Sequence, residues 1–441
     1  MSHTGRPMLS TMTRRALSSI CLIAAAACYP AGLLLAQPAS RSVSTAVAPV
    51  APPSSSPVAP SAPPSVAFDA FLEQVRAEAI GKGIVPAVVD PALAGVFPDL
   101  EVIELLNRQP EHDRTAGQYV SLLVSADRVA KGQAAVAGNV ATLAAVEARF
   151  GVDRHVVAAI WGVETSYGAS HGDRSVIRSL STLAYGDPRR SQFWRGELIA
   201  ALRILQNGDI PLGAMTGSWA GAMGHTQFMP STYLRHAADL DSDGKRDIWR
   251  STGDALASTA NYLKASGWLA RQPWGFQVTL PAGFDFAHSG PGFAKRAADW
   301  QSLGVATAPG TVWPATTGEL SLLLPSGAAG PAFLTTPNFR AILRYNASSA
   351  YALSVGLLAD ALATGHPPQL TWPVDDRALT RAEREELQRL LTGSGHDTGI
   401  PDGIIGNQTR IAIRNWQKSQ DLPQDGHPSE ALLVRLRGAG K

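Results

Sequence analysis

Two low-complexity stretches limit where this 441-residue chain can fold. Residues 37–66 are almost entirely Pro, Ser, Ala and Val, with no aromatic residue and a single charge, Arg41. Such a segment cannot bury enough apolar surface to offset its conformational entropy, so we expect a semi-extended tether. A second break, rich in proline, covers 366–373. Folded units are therefore expected at 67–373 and 374–441.

Residues 1–36 are typical of an export signal. An arginine pair at positions 14 and 15 precedes an apolar run from Ala16 to Ala36, and small residues come before Gln37. Sec and twin-arginine export both fit this segment. Three fates remain open, namely cleavage, retention as a membrane anchor, and lipidation at Cys28. Both cysteines lie here, so the mature chain is expected to have no disulfide.

The composition excludes several classes of protein. Hydrophobic residues make up 45% of the chain, charged residues 17%, and the formal net charge is +2. A basic nucleic-acid binder would need a clustered positive face. A disulfide scaffold, a collagen and a polytopic membrane protein are excluded as well.

Hydrophobic periodicity predicts a mainly α fold with some β structure, an α+β class. Helical spacing starts at Phe68 and continues in amphipathic runs to about residue 150, including Val136–Phe150. The region 270–340, rich in Gly, Pro, Thr and Trp, is expected to be irregular and to contain strands. Three helical stripes in the C-terminal unit predict a three-helix module: Leu387, Leu390 and Leu391; Thr409, Ala412, Ile413 and Trp416; Leu432, Leu433 and Leu436.

Glu164 is the candidate catalytic residue. Asp153 is suited to cap a helix on which Val157, Ile160, Trp161 and Glu164 share one face. A carboxyl group on an apolar stripe is costly to ionise, so its pKa should be raised, as a general acid requires. The alternative is a structural glutamate paired with an arginine. Gly162 and Gly168 indicate close approach by a ligand or by backbone.

A segment dense in Gly, Met and aromatic residues, 218–230, is interpreted as a loop that lies against an extended ligand. Together with Trp161–Gly168, its motifs Gly221-Ala222-Met223-Gly224 and Gln227-Phe228-Met229-Pro230 strongly resemble the lytic murein transglycosylase B family. A third similarity runs from Asn338-Phe339 to Tyr351-Ala352-Leu353. The resemblance covers about residues 68–366.

The resemblance implies a lysozyme-like catalytic domain at 67–373. It implies cleavage of the β-1,4 bond between N-acetylmuramic acid and N-acetylglucosamine in peptidoglycan, without water, leaving 1,6-anhydromuramoyl ends. Glu164 would act first as acid and then as base, and no cofactor would be required for the chemistry. The residues implied to bind substrate are Ser218, Gln227, Tyr119, Tyr345, Asn346 and Tyr351. His225 stands where Gln or Tyr is expected in relatives.

An acidic loop begins like an EF-hand. Asp239, Asp241 and Asp243 occupy positions 1, 3 and 5, and the Lys245 carbonyl occupies position 7. Position 12 is Arg250 instead of Glu. By the resemblance, Asp254 supplies the last carboxylate and the bound ion is a structural Ca²⁺. The alternative is an Asp/Gly turn without metal.

The C-terminal unit resembles the peptidoglycan-binding type 1 domain over residues 380–437, through Leu387-Gln388, the run from Asp402 to Gly406, and Trp416-Gln417. It would hold the enzyme on the wall and raise the local substrate concentration. We therefore expect a periplasmic enzyme that binds the glycan strands of peptidoglycan. Attachment to the outer membrane, and binding to proteins of cell-wall synthesis or remodelling, are left open. The competing hypotheses are a hydrolytic muramidase with Asp173 or Asp187 as second carboxylate, and a non-catalytic scaffold.

Overall fold

The computed structural model describes residues 64–107, 114–290, 292–308, 312–316 and 318–439. The predicted export signal and nearly all of the tether lie outside the described residues. Helices dominate the described part, which confirms the mainly α, α+β class. The helices are α1 Pro64–Gly81, α2 Pro86–Leu93, α3 Leu100–Asn107, α4 Ala116–Leu123, α5 Ala126–Gly138, α6 Val140–Phe150, α7 Arg154–Thr165, α8 Val176–Gly186, α9 Ser191–Asn207, α10 Pro230–His236, α11 Thr252–Ala265, α12 Ala297–Ser302, α13 Pro337–Tyr345, α14 Ser349–Thr364, α15 Arg381–Gly393, α16 Asn407–Ser419 and α17 Glu430–Ala439.

Two helical cores divide the larger unit. One surrounds α7 with α4, α5, α6, α13 and α14, and the other joins α1, α2 and α3 to α8, α9 and α10. Helix α11 contributes to both. Every residue of α7 from Val156 to Thr165 is buried, so this helix lies inside the protein rather than on its surface.

Helix α7 forms where its sequence predicts. The Asp153 side chain accepts a hydrogen bond of 2.7 Å from the backbone N–H of His155, which satisfies a free donor at the helix start. The helix ends at Ser166, whose φ of 51° is left-handed. The run 136–150 differs from the expectation of one helix. It breaks at Asn139, whose side chain donates back to the carbonyl of Ala135 across 2.8 Å.

The strands are β1 Arg174–Ser175, β2 Thr216–Gly217, β3 Gly275–Thr279, β4 Ala306–Thr307, β5 Ser321–Leu323 and β6 Ala332–Thr335. The β-containing region folds as a four-stranded antiparallel sheet in the order β4-β3-β6-β5, which confirms the prediction for 270–340. Phe276 pairs with Leu334 in its centre. A separate core of Phe276, Trp300, Leu320 and Leu334 covers it. A second ribbon, β1 with β2, precedes the segment 218–230.

The C-terminal module is a three-helix unit, α15 to α17, around the three predicted apolar stripes. It packs against the sheet region. The Asp425 carboxylate accepts a hydrogen bond from the backbone N–H of Ala328 across 2.8 Å. Arg414 donates to the Ser289 hydroxyl across 2.8 Å. The module is therefore docked on the larger unit at this junction.

The described helices are short or only partly apolar compared with a membrane span. None of them alone has the length and apolar character needed to cross a bilayer, although α13 and α14, bent by 115°, pass the test as a pair by length and composition. Eleven of the sixteen residues of α14 are buried in the protein core.

Candidate active site

Glu164 lies near the end of α7, where its side chain is buried. Val157, Ile160 and Trp161, on the same face, are buried with it. Because burial penalises the ionised carboxylate, the pKa of Glu164 is raised to about 8, although a hydrogen bond from Tyr351 acts in the opposite direction. A carboxyl group with this pKa keeps its proton near neutral pH. It is therefore suited to general-acid chemistry.

Tyrosines from the C-terminal end of the larger unit surround this carboxyl group. The hydroxyl of Tyr351, on α14, donates to Oε1 of Glu164 across 2.5 Å. The hydroxyl of Tyr345, the last residue of α13, donates to the carbonyl of Thr226 across 2.5 Å. Burial and then the charge of Glu164 raise the pKa of both hydroxyls well above the usual value, so both remain proton donors. Tyr119 from α4 belongs to the same buried cluster.

The glycine-rich loop, residues 218–230, closes on α7 through His225. The indole N–H of Trp161 donates to Nδ1 of His225 across 3.0 Å. The hydroxyl of Thr165, the residue after Glu164, donates to the carbonyl of His225 across 2.6 Å. Two hydrogen bonds thus fix the loop beside the catalytic candidate.

Gly162 and Gly168 do lie at close approaches, but side chains rather than backbone fill the space. A Cβ atom at Gly162 would lie 2.4 Å from the Tyr167 ring. One at Gly168 would lie 2.6 Å from the His225 ring, and Gly168 also has a φ of +85°. These two glycines allow the turn after α7 to fold under the loop.

The remaining candidate substrate residues lie on the loop and beside α13. The Ser218 hydroxyl accepts from the backbone N–H of Ala222 across 3.1 Å. The Gln227 side chain donates to the carbonyls of His171 and Gly224, at 3.0 and 2.9 Å. Asn346 directly follows Tyr345 and is buried. Their roles toward substrate stay predictions.

The structure brings three carboxylates of the acidic loop together. Oxygens of Asp239, Asp241 and Asp254 lie within 4.8 Å of one another. Asp254 reaches them from α11 and also accepts from the backbone N–H of Leu240 across 2.9 Å. Asp243 is not in this group, and its carboxylate accepts from the backbone N–H of Lys245 across 2.8 Å. Three converging carboxylate oxygens fit a hard cation such as Ca²⁺. The ligand set stays a prediction.

Sequence reasoning missed the contacts made by His171. Its ring lies 4.1 Å from the His225 ring, centroid to centroid. Burial lowers the pKa of His171, and burial with the neighbouring His171 lowers that of His225 to about 4. Both rings are therefore neutral near pH 7. No local pattern marks His171, because the two histidines are far apart in the chain.

Known proteins share the fold of this chain. Residues 67–360 match the family described as "Transglycosylase SLT domain", and residues 380–436 match a peptidoglycan binding domain. Membrane-bound lytic murein transglycosylase B of Escherichia coli K12 is 36% identical over 219 residues, which are 48% of this chain and 58% of that protein. The chain thus spans little more than half of that relative.

Solved structures of lytic transglycosylases resemble this chain as well. SltB3 of Pseudomonas aeruginosa, in complex with NAG-anhNAM-pentapeptide, is 51% identical, with 84% of this chain and 99% of that chain covered and a TM-score of 0.80. Escherichia coli Slt35, in complex with calcium, is 28% identical, with 67% and 93% covered and a TM-score of 0.58.

The family match and the solved relatives therefore place this mainly helical, lysozyme-like fold in the lytic transglycosylase class of enzymes. The predicted resemblance is confirmed. This chain belongs to the transglycosylase SLT domain family.

Proposed function

We propose that this protein cleaves the β-1,4 bond between N-acetylmuramic acid and N-acetylglucosamine in peptidoglycan and leaves 1,6-anhydromuramoyl ends. The observation that carries the proposal is the buried carboxyl of Glu164, with its pKa of about 8 and its hydrogen bond from Tyr351. A relative at 51% identity was solved with NAG-anhNAM-pentapeptide, a ligand with an anhydro sugar end.

In the first step, Glu164 gives its proton to the glycosidic oxygen. The bond between that oxygen and C1 of the muramic acid breaks, and N-acetylglucosamine leaves with a free 4-hydroxyl. Positive charge develops at C1, and the acetamido group of the same sugar stabilises it. Glu164 is left as a carboxylate, which accepts the hydrogen bond from Tyr351.

In the second step, the Glu164 carboxylate removes the proton from the 6-hydroxyl of the same muramic acid. The 6-oxygen bonds to C1 and closes the 1,6-anhydro ring. Glu164 regains its proton and is ready for another cycle. One carboxyl group suffices because the sugar supplies its own nucleophile, whereas most glycosidases use two carboxyl groups.

A hydrolytic muramidase is the second candidate, with Asp187 or Asp173 as its other carboxylate. Asp187 is buried and accepts a hydrogen bond from the Trp194 indole across 3.1 Å. Asp173 is exposed. A carboxylate held by Trp194 is poorly suited to activate water, which favours the single-carboxyl mechanism.

The C-terminal module is proposed to bind wall polymer and to keep the catalytic unit near its substrate. The predicted export signal, and the name of the Escherichia coli relative, support a periplasmic location with membrane attachment. Asp239, Asp241 and Asp254 would hold a structural Ca²⁺, as the calcium complex of Slt35 suggests.

The test is mass spectrometry of muropeptides released from purified peptidoglycan by the chain without its export signal. Wild type should release anhydromuramoyl products, and Glu164→Gln should lose at least about 10³-fold in rate while still sedimenting with the wall. Glu197→Gln is the matched control. Glu197 is also buried, but its carboxylate is held by the Ser231 backbone N–H and hydroxyl at 2.8 and 2.7 Å.

Each outcome separates the hypotheses. Reducing-end products, heavier by one water, would establish the muramidase. Near wild-type activity of Glu164→Gln would refute the role of Glu164. Wall binding by the wild type without any product would favour the scaffold.

A further inference from the structure

A cavity of about 870 Å³ lies at the junction of the sheet region and the C-terminal module. Its walls come from three parts of the chain. The sheet region contributes residues 277–281, 283–286 and 328–332. The linker contributes Gln369 and Thr371, and the module contributes residues 421–424. The volume lies in the range of about 300–1,000 Å³ that is usual for ligand sites.

The charged side chains that line the junction cavity are acidic. Among the described residues that line it, Asp285 and Asp421 are the only charged ones, and both are exposed. One Asp285 oxygen accepts from the backbone N–H of Ala287 across 2.9 Å. Neither carboxylate forms an ion pair with any residue in the described part of the chain. The cavity therefore complements a cation.

The uncharged lining suits a peptide. Gln277, Gln369 and Gln424 bring three carboxamides, each able to donate to and accept from a peptide bond. The rings of Phe284 and Phe286, 5.5 Å apart, form an apolar wall. A peptide with one ammonium group would use all three features: its peptide bonds match the carboxamides, its apolar parts match the aromatic wall, and its ammonium matches the carboxylates.

We propose that the junction cavity binds the peptide stem of peptidoglycan through the side-chain ammonium of its diamino acid. This inference rests on the proposed function, because it takes peptidoglycan as the substrate. The glycan strand cannot supply the cation, since its amino groups are acetylated. In a cross-linked stem the side-chain amine is acylated as well. The cavity thus distinguishes free stems from cross-linked ones.

The location of the cavity gives this recognition a structural basis. The module completes one wall, and Asp425 and Arg414 fix it to the sheet region through Ala328 and Ser289. A stem bound here contacts both units at once. Binding is therefore a property of the whole chain and is absent from either unit alone.

The test is isothermal titration calorimetry with the chain lacking its export signal. The probes are the tripeptide N-acetyl-L-Ala-γ-D-Glu-L-Lys, whose one ammonium group is on the lysine side chain, and the same peptide with that side chain acetylated. We expect the free amine to bind about tenfold more tightly, since two exposed carboxylates each contribute a few-fold. The double variant Asp285→Asn/Asp421→Asn should bind both peptides equally weakly.

The matched control is Asp69→Asn/Asp375→Asn, which removes two exposed carboxylates outside the cavity and should keep the wild-type preference. Equal affinity of the wild type for both peptides, or an unchanged preference in the Asp285/Asp421 variant, would overturn the proposal. The muropeptide products of the wild type test the proposed function independently of this titration. Absence of anhydromuramoyl products refutes the proposed function, whereas the titration alone decides the peptide site.

Discussion

The indole N–H of Trp161 donates a hydrogen bond to Nδ1 of His225 across 3.0 Å. Because Nδ1 is the acceptor, the proton of the neutral ring lies on Nε2. Burial and the adjacent His171 lower the pKa of His225 to about 4. His225 is thus neutral near pH 7, and it orders the glycine-rich loop without supplying a proton to the reaction.

The first prediction concerns the pH dependence of cleavage. Glu164 must begin each cycle protonated, and its pKa is about 8, so we expect kcat/KM to fall as the pH rises through about 8. The pH profile should show no further inflection near pH 6 from the titration of a histidine. His225→Gln should keep this shape even where the rate changes, because an amide oxygen can accept from Trp161. Initial rates of muropeptide release check it, and a limb near pH 6 would contradict it.

The second prediction concerns Tyr351→Phe. The Tyr351 hydroxyl lowers the pKa of Glu164, so its removal should raise that pKa further and move the alkaline limb up by about one pH unit. The maximum rate should fall about tenfold or more, because Glu164 must ionise for the second step. Tyr233→Phe is the control. It removes another buried hydroxyl, bonded to the Arg246 carbonyl at 2.7 Å, and should leave the limb in place. An unmoved limb in Tyr351→Phe would refute the assignment.

The third prediction concerns stability. The pKa of Glu164 is 4.5 in the reference state and about 8 in the fold, so between these values the folded state binds more protons than the unfolded state. The free energy of unfolding should therefore decrease as the pH rises across this window. Glu164→Gln removes the penalty and should be more stable than wild type by about 4 kcal/mol near pH 8, with little difference near pH 4. Urea unfolding at several pH values measures this, and a gain independent of pH would contradict it.

The fourth prediction concerns calcium. Ca²⁺ at about 100 times its Kd should stabilise the fold by about 2.7 kcal/mol and raise the melting temperature by a few degrees. Asp241→Asn should abolish the shift, because Asp241 belongs to the group with Asp239 and Asp254. Asp397→Asn, in the C-terminal module, should retain it. A chelator should reverse the shift without changing the products. A melting temperature that does not change when Ca²⁺ is added would exclude the calcium site.

Periodicity predicted the elements that carry the site. The apolar face of α7, its Asp153 cap and the three stripes of the C-terminal module are local patterns, and they formed where the sequence indicates. The helix break at Asn139 was missed, because it depends on one side chain bonding back to the Ala135 carbonyl within an otherwise continuous amphipathic pattern.

The contacts that assemble the site could not be predicted from local sequence patterns. Trp161 and His225 are 64 positions apart, and Tyr351 is 187 positions from Glu164. Contacts at such separations leave no periodic trace in a single sequence. Only the resemblance grouped these segments in advance. The docking of the module through Arg414 was not predicted by either route.

The packing of α14 against α7 also sets the order in which the site is assembled during synthesis. Glu164 is made early in synthesis, but Tyr351 follows 187 residues later. A partly folded chain therefore carries the acid without the tyrosine that holds it. Under the proposed function, full cleavage activity therefore requires that α14 has packed against α7.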